Sequence, residues 1–295
     1  MYLVFNTNFD PIDDYFYGTV DGNGFKLINL SINEQKMKSG YLDNALVFRF
    51  IRNNFGIIKN IEVSNLNYKI ETTRGKENLS FHCGFIGYNS SNGVIENIVI
   101  NDNSNLNVSI VSNNQNTSAR QLFGAVCGFI RKATFRDYSI YGCVICYNVE
   151  ACVGGIIGDN RKWDENSNGI LRHALVINNT ISGTTSKVFG KKAITNVGGL
   201  VGVSSGENTN LVFLSNVFNY ESNDENWCGQ IIGREYSGEA TNCLCCTKIA
   251  NCWIIGNKEL TNEFGKSNVR DVLVRIYENW DLSIWNVNLE EFIRI

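Results

Sequence analysis

The stretch Gly154-Gly155-Ile156-Ile157-Gly158 decides the fold of this chain, because close variants of it occur four more times. Each variant has a small residue at or near its start, two apolar residues and a closing glycine. The closing glycines are 41, 30, 44 and 31 residues apart. Internal periods of roughly 20–50 residues are typical of solenoids and propellers. The other four copies are Cys83–Gly87, Gly124–Gly128, Gly198–Gly202 and Gly229–Gly233.

A second repeat follows the first at a steady offset, and its apolar residues alternate with other residues as in a strand that has one buried face. We therefore expect structural roles for the glycines of the first repeat and for one recurring polar position in the second repeat. The glycines are Gly87, Gly128, Gly155, Gly158, Gly199, Gly202 and Gly233. The copies of the second repeat are Lys26–Ile32, Ile57–Val63, Val94–Ile100, Thr134–Ile140 and Ile170–Val176.

Aligning the second repeat column by column predicts parallel strands that stack in register. One column contains Lys59, Glu96 and Arg136, so oppositely charged side chains would become neighbours and stabilise the stack. The next column is mainly amide, and we expect its side chains to form a hydrogen-bonded ladder where the strands turn. The ladder column contains Asn29, Asn60, Asn97, Asp137 and His173.

The connections between the predicted strands are the expected binding sites, because loops on a rigid scaffold commonly carry function. The richest connections are Asn101–Ala119 and Asp159–Gly169, and a further one lies near Ser204–Asn210. The candidate binding residues in these loops are Asn113, Asn116, Arg161, Lys162 and Trp163.

The stretch Phe16–Leu30, with its Asp21-Gly22-Asn23-Gly24 turn, resembles the GLUG-motif family, as do the Gly-Gly-Leu-Val-Gly and Ile-x-Asn-Ile phrases. The resemblance covers roughly residues 9–256. It implies an all-β, right-handed parallel β-helix of about six to seven coils over residues 1–256. Such repeats occur in large bacterial surface proteins alongside adhesins, so the resemblance also implies a location at the cell surface or outside the cell.

Residues 257–295 lack the glycine repeat and are expected to form an aromatic-rich C-terminal cap. The stretch Val269–Tyr277 is a candidate short amphipathic helix in this cap, and Trp280, Trp285 and Phe292 follow it. A solenoid needs such a cap, because its last coil would otherwise expose apolar side chains and strand edges.

Composition excludes several classes of protein. The 26 basic and 29 acidic residues are spread evenly and give a net charge of −3, which argues against a nucleic-acid partner. No apolar run is long enough to predict a membrane span, and no signal-peptide pattern is visible. No cofactor is expected.

The ten cysteines include two spacings that resemble zinc-ligand pairs, Cys143-x-x-Cys146 and Cys243-x-x-Cys246. Residues three apart in a strand point to opposite faces, so we predict no metal site. Buried thiols that fill a narrow core are the favoured interpretation. Disulfides between adjacent coils remain an alternative for a secreted protein.

Three functions are compatible with these patterns. The favoured hypothesis is a non-enzymatic adhesion-type module that presents loops to a glycan or to a host or cell-surface protein. The alternative is a β-helical polysaccharide lyase or glycoside hydrolase that uses Asp137 with Arg136 and Arg172, and it requires these residues and Asp159 to meet in one groove. The third is an intracellular scaffold or a fragment of a larger surface protein.

Overall fold

The computed structural model describes 174 of the 295 residues in short segments, which together define the strands and many of their connections. The described segments are 2–4, 12–23, 26–33, 44–48, 51–74, 80–90, 92–101, 104–112, 121–131, 134–141, 144–148, 152–161, 169–177, 179–184, 196–214, 217–221, 227–236, 239–241, 243–245 and 253–255.

 Within the described segments every regular element is a β-strand, and every strand pairing is parallel. The predicted all-β class with parallel strands is therefore confirmed, in sheets that are curled.

The strands are short, from two to nine residues, and they are numbered in chain order. They are β1 (Tyr2–Val4), β2 (Ile12–Phe16), β3 (Thr19–Asp21), β4 (Lys26–Ile28), β5 (Ser31–Asn33), β6 (Asn44–Phe48), β7 (Ile51–Asn54), β8 (Ile57–Ser64), β9 (Asn67–Arg74), β10 (Ser80–Cys83), β11 (Ile86–Ser90), β12 (Val94–Asn101), β13 (Asn105–Ser112), β14 (Gln121–Gly124), β15 (Cys127–Arg131), β16 (Thr134–Tyr141), β17 (Val144–Asn148), β18 (Cys152–Gly154), β19 (Ile157–Asn160), β20 (Ile170–Ile177), β21 (Thr180–Thr184), β22 (Asn196–Gly198), β23 (Val201–Ser204), β24 (Glu207–Leu214), β25 (Val217–Glu221), β26 (Trp227–Glu235), β27 (Glu239–Thr241), β28 (Leu244–Cys245) and β29 (Trp253–Ile255).

Three parallel sheets are built from strands that recur in a regular order, since sheet A takes every fourth strand from β4 to β24. Sheet A follows the order β1-β4-β8-β12-β16-β20-β24-β27, and sheet C follows β25-β21-β17-β13-β9-β5. Sheet B contains two ladders, β2-β7-β11-β15-β19-β23 and β6-β10-β14-β18-β22, which join at the long strand β26. The chain thus visits sheets A, C and B in turn, and we call each such passage a circuit.

The register within sheet A agrees with the column alignment from Ile57 onward. Ile58 stands opposite Ile95, and the column continues through Phe135 to Leu171. Ile58, Ile95 and Leu171 are fully buried, and they belong to one apolar core that the three sheets share. Alternation of apolar side chains therefore fixes both the buried face and the register, since a slip by one residue would expose the whole set.

The first copy of the second repeat is misaligned in the sequence interpretation. Lys26 stands opposite Glu62, whereas Asp21 stands opposite Lys59. The chain therefore advances by five positions from Asp21 to Lys26, whereas β8 advances by three from Lys59 to Glu62. The two extra residues shift the alignment of everything that follows. As a result Asn29 aligns with Asn65 and does not belong to the column of Asn60.

Two of the predicted loops contain strands. Asn105–Ser112 forms β13 within the predicted connection Asn101–Ala119. The predicted insertion near Ser204–Asn210 is absent, because β23 ends at Ser204 and β24 begins at Glu207. The amide of Gly206 donates to the Ser204 hydroxyl across this tight corner, so two residues suffice to connect the sheets.

The glycine repeat forms a sharp corner between the two ladders of sheet B. A β-carbon on Gly155 would lie closer than 3.0 Å to the carbonyl oxygen of Gly199, and one on Gly199 would overlap Gln230. Gly158 and Gly233 have equally little room, because a β-carbon there would approach the carbonyl oxygens of Gly128 and Gly202. Close packing of successive circuits, rather than a left-handed backbone, therefore requires glycine here.

Several predictions fall outside the described residues. The entire cap, 257–295, is among them, as are Asn113, Asn116, Lys162 and Trp163. Gly87 lies in strand β11, in the position that the repeat gives it. No helix in the described segments is long and apolar enough to cross a membrane.

Candidate binding surface

The predicted amide ladder exists in sheet A, beginning at Asp21. Asn60 Nδ2 donates to Asp21 Oδ1 over 2.9 Å, and Asn97 Nδ2 donates to Asn60 Oδ1 over 2.9 Å. The φ angles of Asn60, Asn97 and His173 are 56°, 52° and 55°, so each strand bends in the left-handed region at this position. Asparagine adopts that region more readily than most residues, and its side chain bonds to the next level.

Asn29 belongs to a second amide pair, one bend further along the strand. Asn65 Nδ2 donates to Asn29 Oδ1 over 2.6 Å, and both residues have positive φ angles, 52° and 61° respectively. Asn29 therefore bonds to Asn65, outside the column of Asn60 in which the sequence alignment placed it.

Sheet A carries the predicted column of charges, Lys59, Glu96, Arg136 and Arg172, and the register adds Asp21, which the alignment did not include; we call these five positions the charged column. These five positions are successive neighbours in the register. Lys59 Nζ lies 3.3 Å from Asp21 Oδ2, and the two side chains are about one third exposed. The register therefore brings together an oppositely charged pair that the alignment did not predict.

The surroundings of Asp21 in this column lower the pKa of its carboxyl group. The hydrogen bond from the Asn60 side chain lowers its pKa below the ordinary value of 3.8, although partial burial opposes this effect. The backbone amide of Asn23 and the Lys59 ammonium lower it further. Asp21 is therefore an ionised acceptor at neutral pH.

The residues of the enzymatic alternative are brought together only in part. Arg136 and Arg172 are direct neighbours in sheet A, and Asp137 follows Arg136 in the same strand. Asp159 lies instead in sheet B, fully buried, where Arg161 Nε lies 2.9 Å from both of its carboxylate oxygens. The two sites are thus on different sheets, and Arg161 neutralises the carboxylate.

Arg172 has a carboxylate partner of its own. Its Nη2 lies 2.6 Å from Glu207 Oε1 and its Nε lies 3.0 Å from the same oxygen. Both side chains are more than 40% exposed, at 46% and 42%. This pair contributes little to stability, because exposed ion pairs are typically worth about 0–1 kcal/mol, but it extends the polar surface of sheet A.

Arg161, the one predicted binding residue that the structure describes, anchors Asp159 and also approaches an aromatic ring. Its guanidinium carbon is 5.8 Å from the ring centre of Tyr236, and that of Arg234 is 4.4 Å away. Tyr236 is 51% exposed. The predicted loop therefore begins beside an exposed tyrosine that two arginines flank.

Sequence reasoning missed an exposed group of aromatic side chains, Tyr15, Tyr17 and Phe55, which we call the aromatic cluster. The rings of Tyr17 and Phe55 stack with centres 5.2 Å apart, and Tyr15 meets Phe55 edge-on at 5.5 Å. Tyr15 and Tyr17 are 59% and 73% exposed. The available signal was the spacing of Tyr15 and Tyr17 at alternate positions just before the bend at Gly18.

A buried amide corner was also missed, and it connects sheets B and A. Asn54 Nδ2 donates to Asn89 Oδ1 over 2.7 Å, and the Gly56 amide donates to Asn54 Oδ1 over 3.1 Å. Asn54 and Asn89 are fully buried. Their side chains satisfy the backbone where the chain turns, which identifies this corner as structural.

The cysteines that the structure describes with their side chains lie in the core, as the favoured interpretation expects. Cys127 is a fully buried thiol, and burial raises its pKa to about 12. Cys243 is 5% exposed in the same core. In the described segments, no group of three or more histidine, cysteine, aspartate or glutamate residues is placed to hold a metal ion.

Comparisons with protein-family models, with curated proteins and with solved structures found no match to this chain.

Proposed function

We propose that this chain is a non-enzymatic binding module, built as a right-handed parallel β-helix of about six to seven coils, that presents one side to a glycan or protein partner. Its resemblance to GLUG-motif repeats supports this architecture and a location at the cell surface. The circuits through sheets A, C and B support the winding, because parallel strands in one sheet are nearly always connected with right-handed crossovers.

The outer face of sheet A is the observation that carries the proposed function. Exposed polar side chains stand there at fixed positions in successive strands, and the aromatic cluster adjoins them through Gly18 and Gly56. The Ile57 amide donates to the Gly18 carbonyl over 2.9 Å, which joins the two regions. A rigid sheet lowers the entropic cost of ordering such side chains, so a partner can bind without rearranging them.

The experiment measures binding and turnover on the same targets. The full chain is applied to a printed panel of neutral and acidic oligosaccharides and to intact cells, and each bound glycan is then incubated with it and assayed for cleavage. Binding without cleavage is the expected result. Binding to neither the glycans nor the cells would contradict the proposal.

The enzymatic alternative predicts a different result in the same experiment. Cleavage of an acidic polysaccharide that is lost in Asp137→Asn would favour a lyase or hydrolase and overturn the binding module. Glu71→Gln is the matched control, because it removes a carboxylate from β9 in sheet C, whereas Asp137, Arg136 and Arg172 belong to sheet A.

Location is tested separately by brief protease treatment of intact cells that make the protein. Release of its peptides into the medium is expected of a surface protein. Peptides found only after lysis would favour the intracellular scaffold instead.

A further inference from the structure

We propose that the aromatic cluster and the first pair of the charged column form one binding strip for a neutral oligosaccharide. The strip consists of Tyr15, Tyr17, Thr19 and Asp21 on one chain segment, with Phe55 and Lys59 on the next. This inference deepens the proposed function and rests on it, since it names the region and the ligand class of a binding module.

The two segments run side by side along the whole strip. The Phe55 amide donates to the Phe16 carbonyl over 2.8 Å, and the Gly22 amide donates to the Lys59 carbonyl over 2.9 Å. Between these points Thr19 stands opposite Ile57, and Asp21 stands opposite Lys59. Hydrogen bonds therefore hold the aromatic end and the polar end of the strip in a fixed relation.

The aromatic end suits the apolar face of a sugar ring. An aromatic ring has a negative face, which attracts the weakly positive C–H groups that cover one side of many pyranoses. Tyr17 is the most exposed of the large apolar side chains in the described residues, at 73%, and its ring is supported from behind by Phe55. Because the stack holds the ring, little side-chain entropy remains to be lost on binding.

The polar end suits the hydroxyl groups of the same ligand. Asp21 is an exposed carboxylate that accepts hydrogen bonds, Lys59 donates them, and the Thr19 hydroxyl does both. Asp21 and Lys59 neutralise each other over 3.3 Å, so this end attracts neither an anion nor a cation strongly. An uncharged ligand with many hydroxyl groups therefore fits the strip better than an acidic polysaccharide.

The size of the strip favours a glycan over a protein. Six peptide steps lead from Tyr15 to Asp21, and the chain bends at Gly18 between them, so the strip is at most about 20 Å long and, with two strands, about 10 Å wide. The resulting area of at most about 200 Å² is well below the roughly 800 Å² that each partner buries in a standard protein interface. A short chain of sugars matches this size.

The experiment compares variants of the full chain on a printed panel of neutral gluco-, manno-, galacto- and xylo-oligosaccharides beside acidic ones. Wild type is expected to bind at least one neutral series, and Tyr17→Ala is expected to weaken that binding about tenfold or more. Tyr17→Phe, which keeps the ring, should retain most of it. Tyr236→Ala is the matched control, because it removes an exposed tyrosine elsewhere.

The remaining outcomes separate this inference from the proposed function. Binding that is unchanged in both Tyr17→Ala and Tyr15→Ala, or that is restricted to acidic glycans or to a protein target, would overturn the strip and leave a binding module. Absence of binding to any glycan or cell would overturn both. Far-ultraviolet circular dichroism of each variant ensures that a loss of binding is not a loss of fold.

Discussion

Gly155 illustrates how a single residue controls the packing of circuits. Replacing it with valine would force a β-carbon into the carbonyl oxygen of Gly199, so neighbouring strands would have to separate. We expect Gly155→Val to lower the free energy of unfolding by about 3 kcal/mol or more, as severe overpacking does. Chemical denaturation measures this change.

The matched control for that prediction is Gly18→Val. A β-carbon on Gly18 would meet only the movable ring of Phe16, at 3.2 Å, so a loss of about 1 kcal/mol or less is expected. If Gly155→Val and Gly18→Val lost the same free energy of unfolding, close packing at Gly155 would not be what requires glycine there.

Asn97 combines a left-handed backbone with a ladder hydrogen bond, and two substitutions separate these contributions. Asn97→Gly loses the hydrogen bond to Asn60 but tolerates the φ angle of 52°, so we expect a loss of about 1 kcal/mol. Asn97→Ala should lose about 1 kcal/mol more, because alanine is strained in that region. Unfolding curves of the two variants test the difference, and equal stability would argue against the strained bend.

Asp21 predicts a dependence of stability on pH. Its folded pKa is lowered, so the stability that it contributes is fully present above its ordinary pKa of 3.8 and is lost as the pH falls through the folded value. Asp21→Asn removes this contribution. The difference in urea midpoint between wild type and variant should therefore shrink as the pH falls from 6 to below 3.8, whereas a constant difference would contradict the assignment.

At the scale of elements, parallel register explains why charges alternate from Asp21 to Arg136 in sheet A, before Arg172 ends the alternation. Glu96 stands between Lys59 and Arg136, so Glu96→Lys would place three cations on adjacent strands. We expect a loss of about 1 kcal/mol that decreases with added salt, because exposed like charges are screened. Glu96→Gln is the control, and its loss should be smaller and nearly independent of salt.

The strands and their register were largely predictable from the sequence, because alternating apolar residues such as Ile58 and Ile95 permit only one buried face. The alignment of the first copy of the second repeat, Lys26–Ile32, was not predictable. Each circuit can place asparagine at two bends, as at Asn60 and Asn65, and both are followed by an apolar residue. Asn29 fits either position in the sequence, and only strand pairing assigns it to the second.

The candidate site was less predictable than the fold. The charged column emerged from alignment, since register places its members together. The aromatic cluster did not, because Tyr17 and Phe55 are distant in sequence and only the pairing of their chain segments brings the two rings together. Arg161 was predicted from loop composition, yet its ion pair with Asp159 depends on burial that the sequence does not specify.

At the scale of the whole molecule, the described strands of each circuit pair with strands of the circuits before and after it. Stability in such an array is approximately a sum of neighbouring interfaces, so damage stays local. Gly199→Val should therefore expose the amides of β22, β23 and β26 to hydrogen exchange while those of β7 and β8 keep most of their protection. Uniform loss of protection along the chain would contradict this prediction.

The passage from sheet C to sheet B has a consequence for how the chain can change its length. Three residues, 149–151, connect β17 to β18, whereas eleven residues, 185–195, connect β21 to β22. The strands on both sides nevertheless keep the same register with their neighbours. Natural selection can therefore add or remove residues at this junction without disturbing the sheets, and an engineer who wishes to graft a foreign epitope onto the molecule has the same freedom there.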